Sequence, residues 1–224
     1  MTLEPTTTVL PSLLELTLSG GPLMIPIALC SVAALGLVIE RAISMRRSQL
    51  GAPSLEVEVV RALRSGDRGA ALRLVEGDVT PLARILRVGL ESPPEVRVAR
   101  VEDLATNEVK SLHARLRPLL LVYLVAPLLG LLGTVWGMIG AFAVVAHAQG
   151  LGKPELLASG VYQALVTTAA GLAVAIPVLL VHQGFRAKVD RFARRVERAW
   201  SETELALSTP QSSSPAAEVM RADS

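Results

Sequence analysis

Three runs of this 224-residue chain contain no Asp, Glu, Lys or Arg: Leu16 to Ile39, Pro118 to Gly152 and Leu156 to Phe185. They are 24, 35 and 30 residues long. A helix needs about 20 apolar residues to cross a bilayer, so each run is long enough. The composition agrees: 51% of residues are hydrophobic but only 3% are aromatic, a poor supply for a soluble aromatic core. A water-soluble domain would not keep three such runs free of charge. The pattern predicts an all-α membrane protein with three transmembrane helices and long cytoplasmic helical extensions.

A net charge of +2 hides a strong asymmetry. Of the 22 Lys and Arg, none precedes the first run, 14 lie between the first and second, one (Lys153) lies between the second and third, and seven follow. Basic loops favour the cytoplasmic side, which puts the N-terminus outside and the C-terminus inside. The resulting division is an outer N-terminal arm (1–15), a first span (16–43), a cytoplasmic helical domain (44–117) and a second span (118–147). A short outer loop (148–156), a third span (157–185), a cytoplasmic helix (186–207) and a disordered tail rich in Ser, Pro and Ala (208–224) follow. No Lys or Arg precedes the first run, so it does not read as a cleaved signal peptide. Cys30 is the one cysteine, which excludes an intrachain disulfide.

In the charged segment the pattern predicts helices over Leu55 to Arg64, Asp67 to Val75 and about Pro81 to Leu90, with a longer one opening at Pro93-Pro94. That helix carries Val101, Ala105, Val109, Leu112 and Leu116 on one face and runs on into the second span. Pro118 predicts a slight bend at the boundary. The third span is likewise expected to continue, with Val189, Phe192, Val196 and Ala199 at helical spacing.

In the second span Gly130, Gly133, Gly137 and Gly140 form one small-residue stripe, with Thr134 beside it. In the third, Gly160, Ala164, Thr168, Gly171 and Ala175 form another, with Gln163 and Thr167 alongside. Small faces let helix backbones approach closely. The hydroxyls then either bond back to their own helices or line a polar path. Pro127 and Pro177 sit mid-span and free the carbonyls of Tyr123 and Ala173. A wet interior or simple kinks would each accommodate them. The spans contain no carboxylate, so any proton crossing here needs an acid from another polypeptide. His113, His147 and His182 are too scattered for an evident metal site and read as surface or interfacial. No cofactor is expected. The chain carries neither a phosphate-binding loop nor a zinc-protease motif, which argues against an enzyme. Its basic residues are interspersed with acids and read as solvated helix faces and lipid-headgroup contacts, not a nucleic-acid site.

The stretches VIERAISMRR (38–47), SGDRGAALRLVEGDVTPLARILRVGL (65–90), GLLGTVWGMIGAF (130–142) and ALVTTAAGLAVAIP (164–177) resemble the MotA/TolQ/ExbB proton-channel family, in particular its ExbB/TolQ branch. The resemblance implies a ring-forming homo-oligomer, five copies in the family, in the bacterial inner membrane. The N-terminus would be periplasmic and the C-terminus cytoplasmic. It implies a single-span ExbD/TolR-like partner that supplies a titrating Asp, and a TonB/TolA-like effector. Thr134 and Thr168 match the family's pore threonines, while Gln163 and Thr167 are further pore or partner contacts. Many relatives carry Glu where this chain has Gln163, which can hydrogen-bond but cannot titrate. A second reading is therefore a non-conducting scaffold of the same fold.

Overall fold

The computed structural model describes residues 20–45, 52–147 and 154–208. The expected outer arm (1–15), most of the outer loop and nearly all of the tail lie outside the described residues. Every regular element among them is an α-helix. In chain order these are α1 (Met24–Ser44), α2 (Pro53–Arg64), α3 (Arg68–Glu76), α4 (Pro81–Glu91), α5 (Pro94–His147) and α6 (Pro154–Ser208). Three of them, α1, α5 and α6, are long and apolar enough to cross a membrane. Their most apolar windows are only 11%, 22% and 33% buried by the chain itself. Apolar side chains such as Leu29, Val32, Leu128 and Leu165 therefore point outward, as they do in helices solvated by lipid.

The residues form two compact units. The first comprises 20–41 and 116–184. In it the first helix begins at Met24, whose amide donates to the Gly21 carbonyl at 3.0 Å. Pro22 thus stands before the helix, in a turn, and not inside it as the apolar run suggested. Gly21 makes that turn possible with φ of +72°, a conformation that costs glycine little. At the far end of the span pair, α6 starts at Pro154, three residues ahead of the expected start, because Pro suits the first helical turn. Pro118, Pro127 and Pro177 are all accommodated inside continuous helices.

The second unit comprises 42–45, 52–115 and 185–208. Local signals set its short helices. After α2, Ser65 caps the helix and Gly66 takes φ of +82°. The Gly66 and Asp67 amides then bond back to Leu63 and Ala62 at 3.0 Å each, which closes a Schellman turn. Asp67 next caps α3 by accepting from the Ala70 amide at 2.7 Å, and Thr80 caps α4 ahead of Pro81. Leu82, Ile85, Leu86 and Leu90 of α4 are fully buried, with Val59 of α2, Val75 of α3, Val101 of α5 and Val189 of α6. Gly89 admits the Trp200 ring, since a Cβ at that position would run into it. Arg195 ties α6 to α2 by donating to Glu56 at 3.0 Å and to the Ala52 carbonyl at 2.6 Å.

Candidate functional site

Glycines bring α5 and α6 together in the first unit. The contacts run antiparallel. A Cβ on Gly171 would lie 2.5 Å from the Ala126 carbonyl oxygen, and one on Gly130 would lie 3.0 Å from the Thr168 Cα. One on Gly137 would lie 3.0 Å from the Ala164 Cβ, and one on Gly160 would meet Ala141. Backbones this close leave no room for a larger residue, so the stripe is the seam of the helix pair. Pro127 follows Ala126 directly at this seam. Gly140 departs from the expectation: a Cβ there would meet nothing within 4 Å. Gly140 thus borders open space beside the seam, which Ala141 keeps closed against Gly160 at the same level.

The threonines divide by role. Thr134 is half-buried, and its hydroxyl donates to the Leu131 carbonyl of its own helix at 2.6 Å. Thr168 donates across the seam to the Gly130 carbonyl at 2.8 Å. Thr167 is buried, with its hydroxyl between the carbonyls of Gly20, at 2.9 Å, and Gln163, at 2.8 Å. A hydroxyl has one proton, so these two acceptors share it. A Cβ on Gly133 would lie 2.7 Å from the Thr167 Cβ, so the same side chain also fills the seam. Thr167 thereby joins the turn before α1 to the α5–α6 pair. The Gln163 carboxamide lies against Gly21 on that turn.

Beside the seam, against Gln163 and one helical turn from Thr167, lies a cavity of about 250 Å³. Gly20, Gly133, Trp136, Gly140, Ser159 and Gln163 are among its walls. Sequence spacing places Gly133, Gly137 and Gly140 on one stripe. It does not reveal that the turn at Gly20 closes one side of a cavity, because that closure depends on a residue more than 140 positions away in the chain.

The histidines also separate. His182 is buried at 5% exposure, its ring 5.4 Å from that of Tyr123 and tilted by 55°, which corrects the surface reading given to it above. The signal was available in principle, because His182 falls in an uncharged run seven residues after Ala175 of the packing stripe. His113 pairs with Asp190 at 3.4 Å in the second unit, and His147 contacts the Ala143 carbonyl at 2.7 Å at the end of α5.

The chain's relatives fit this architecture. A sequence model of the MotA/TolQ/ExbB proton channel family matches residues 78–198, more than half of the chain and all of α5. A Synechocystis sp. protein named as ExbB-like 3, with a biopolymer transport description, is 32% identical over 200 residues, covering 84% of this chain and 91% of its own length. The biopolymer transport protein exbB1 of Vibrio cholerae is 41% identical over 95 residues, 42% of each chain. The Tol-Pal system protein TolQ of Haemophilus influenzae is 33% identical over 111 residues, 48% of each chain. With its all-helical spans and the seam between α5 and α6, the chain belongs to the MotA/TolQ/ExbB proton channel family, in the ExbB/TolQ branch.

Proposed function

We propose that this chain is the inner-membrane proton-channel subunit of an ExbB/TolQ-like motor. Several copies, five by analogy with the family, ring a central pore with their N-termini periplasmic and their C-termini cytoplasmic. The second unit, with the helical extensions of α5 and α6, forms the cytoplasmic part. A single-span ExbD/TolR-like partner supplies the titrating Asp. The ring couples proton flow to a TonB/TolA-like effector for transport or envelope work.

One observation carries this reading: spans without a carboxylate place the Thr134 and Thr168 hydroxyls within the seam region of α5 and α6, each bonded only to a backbone carbonyl. Such hydroxyls can exchange hydrogen bonds with a protonated acid and carry no charge to trap the proton. The membrane potential supplies roughly 2.3 kcal/mol per charge per 100 mV, enough to bias a conformational step of a few kcal/mol.

The second reading, a non-conducting scaffold, draws on Gln163, which cannot titrate, and on the Thr168–Gly130 bond, which packs the helices. Isolation of the assembly from native membranes through this chain separates the two. The motor reading expects a small single-span protein with one Asp near the start of its span to co-purify in fixed proportion. A homo-oligomer without such a partner leaves the assembly with no proton-carrying acid and favours the scaffold.

A further inference from the structure

We propose that the cavity beside the seam is a water-filled vestibule, with Gln163 as its fixed hydrogen-bonding post. It would bring water from the membrane face where α5 ends and α6 begins down to the level of Thr134. The inference rests on the channel reading above for its purpose, but not for its test.

The first argument is reach. The lining runs from Val144 and Ser159, near the helix ends, down to Gly133 and Gln163. Gly133 lies 14 residues before His147, the last residue of α5, or about 21 Å along the axis at 1.5 Å per residue. Its neighbour in sequence is Thr134, and Gln163, the lining residue furthest along α6, stands four and five residues before Thr167 and Thr168. The vestibule thus ends one residue from Thr134 and five residues from Thr168 in the chain.

The second argument is chemistry. The volume of about 250 Å³ is far above the space that one water needs, on the order of 15 Å³ by the same measure. A cavity stays wet when waters find two to four polar partners, and dry when its walls are only apolar. Gln163 offers two donors and an acceptor, and its carboxamide bonds to no other described residue. Ser159 adds a hydroxyl. Gly140 borders open space and leaves its stretch of the wall without a side chain. Trp136, Pro22 and Leu23 complete an apolar flank. A neutral amide keeps such a cavity hydrated at every pH, whereas an acid at the same place would make hydration depend on its ionisation.

Cysteine accessibility tests this directly. In a Cys30→Ser background of the full chain in membrane vesicles, Gly140→Cys puts a thiol where there is open space. A charged, membrane-impermeant methanethiosulfonate reacts only where water lets the thiolate form. Applied from the side on which α5 ends, it should label position 140 at least tenfold faster than Val32→Cys, an outward-facing site on α1. Val144→Cys, at the mouth, should label as fast or faster and serves if Gly140→Cys fails to fold. Adding Gln163→Leu should slow labelling at 140 toward the Val32 rate. Equal rates at 140, 144 and 32 would overturn the vestibule. Fast labelling that survives Gln163→Leu would overturn the role given to Gln163. Proton flux measured on the same vesicles keeps the channel reading separate: flux with a dry position 140 removes only the vestibule, and a wet position 140 without flux removes only the channel.

Discussion

Thr134 and Thr168 differ in what their hydroxyls hold, and that difference makes them separable by mutation. Thr134 bonds within its own helix, three residues back. Thr134→Ala should leave assembly intact, with a stability change below about 1 kcal/mol, while proton flux falls at least tenfold. Thr168 bridges to Gly130 on the other helix, and interhelical hydrogen bonds in membranes contribute about 0.6 kcal/mol, up to roughly 1.7. Thr168→Val should therefore lower both flux and the melting temperature of the detergent-solubilised assembly. Equal stability losses in the two variants would contradict this division. Glycines give a second contrast. Gly171→Val should abolish folded protein, since even a Cβ would press on the Ala126 carbonyl, and Gly140→Ala should be neutral; size-exclusion profiles after heating would show both. The adjacent hydroxyls of Thr167 and Thr168 were visible in the sequence, but their roles were not. They point about 100° apart on a helix, and Gly133 and Gly20, both distant in the chain, bury Thr167.

At the scale of the element, the short helices were legible because their stop and start signals are local. Ser65-Gly66-Asp67 both ends α2 and caps α3, and Thr80-Pro81 opens α4. The first helix was less legible: an uncharged run states what can sit in lipid, not where a turn replaces a helix, so Gly20 to Leu23 read as part of the span. Long-range partners were not legible at all. Nothing near Gly89 announces Trp200, and nothing near Glu56 announces Arg195. Their importance is nonetheless measurable. The Arg195 side chain is mostly buried, at 19% exposure beside Glu56 at 26%, and it also holds the Ala52 carbonyl at the start of α2. Hydrogen bonds to charged groups contribute about 1.5–3 kcal/mol, less where solvent screens them. Arg195→Ala should therefore lower stability by about 1–2 kcal/mol and raise amide hydrogen exchange in α2, leaving exchange in α1 unchanged. Protection of α2 unaltered by the substitution would mean that the ion pair does not anchor it.

For the whole molecule, the distribution of charge and apolar surface makes the membrane reading firm before any contact is known. The three apolar helices bury a third or less of their apolar windows within one chain; the remaining surface is available to lipid, further copies and a partner span. The family match over residues 78–198 covers α4, all of α5 and most of α6, and so includes the two helices that form the glycine seam. Their spans contain hydroxyls and no acid, so conduction is expected to need a carboxyl from elsewhere while depending on this chain's threonines. The most direct measurement is proton uptake into vesicles that carry the assembly isolated through this chain, driven by an imposed potential, with and without Thr134→Ala and Thr168→Val together. The account predicts uptake by the unaltered assembly and a loss of at least tenfold in the double variant at equal protein content and oligomer size. Undiminished uptake in the double variant would contradict it.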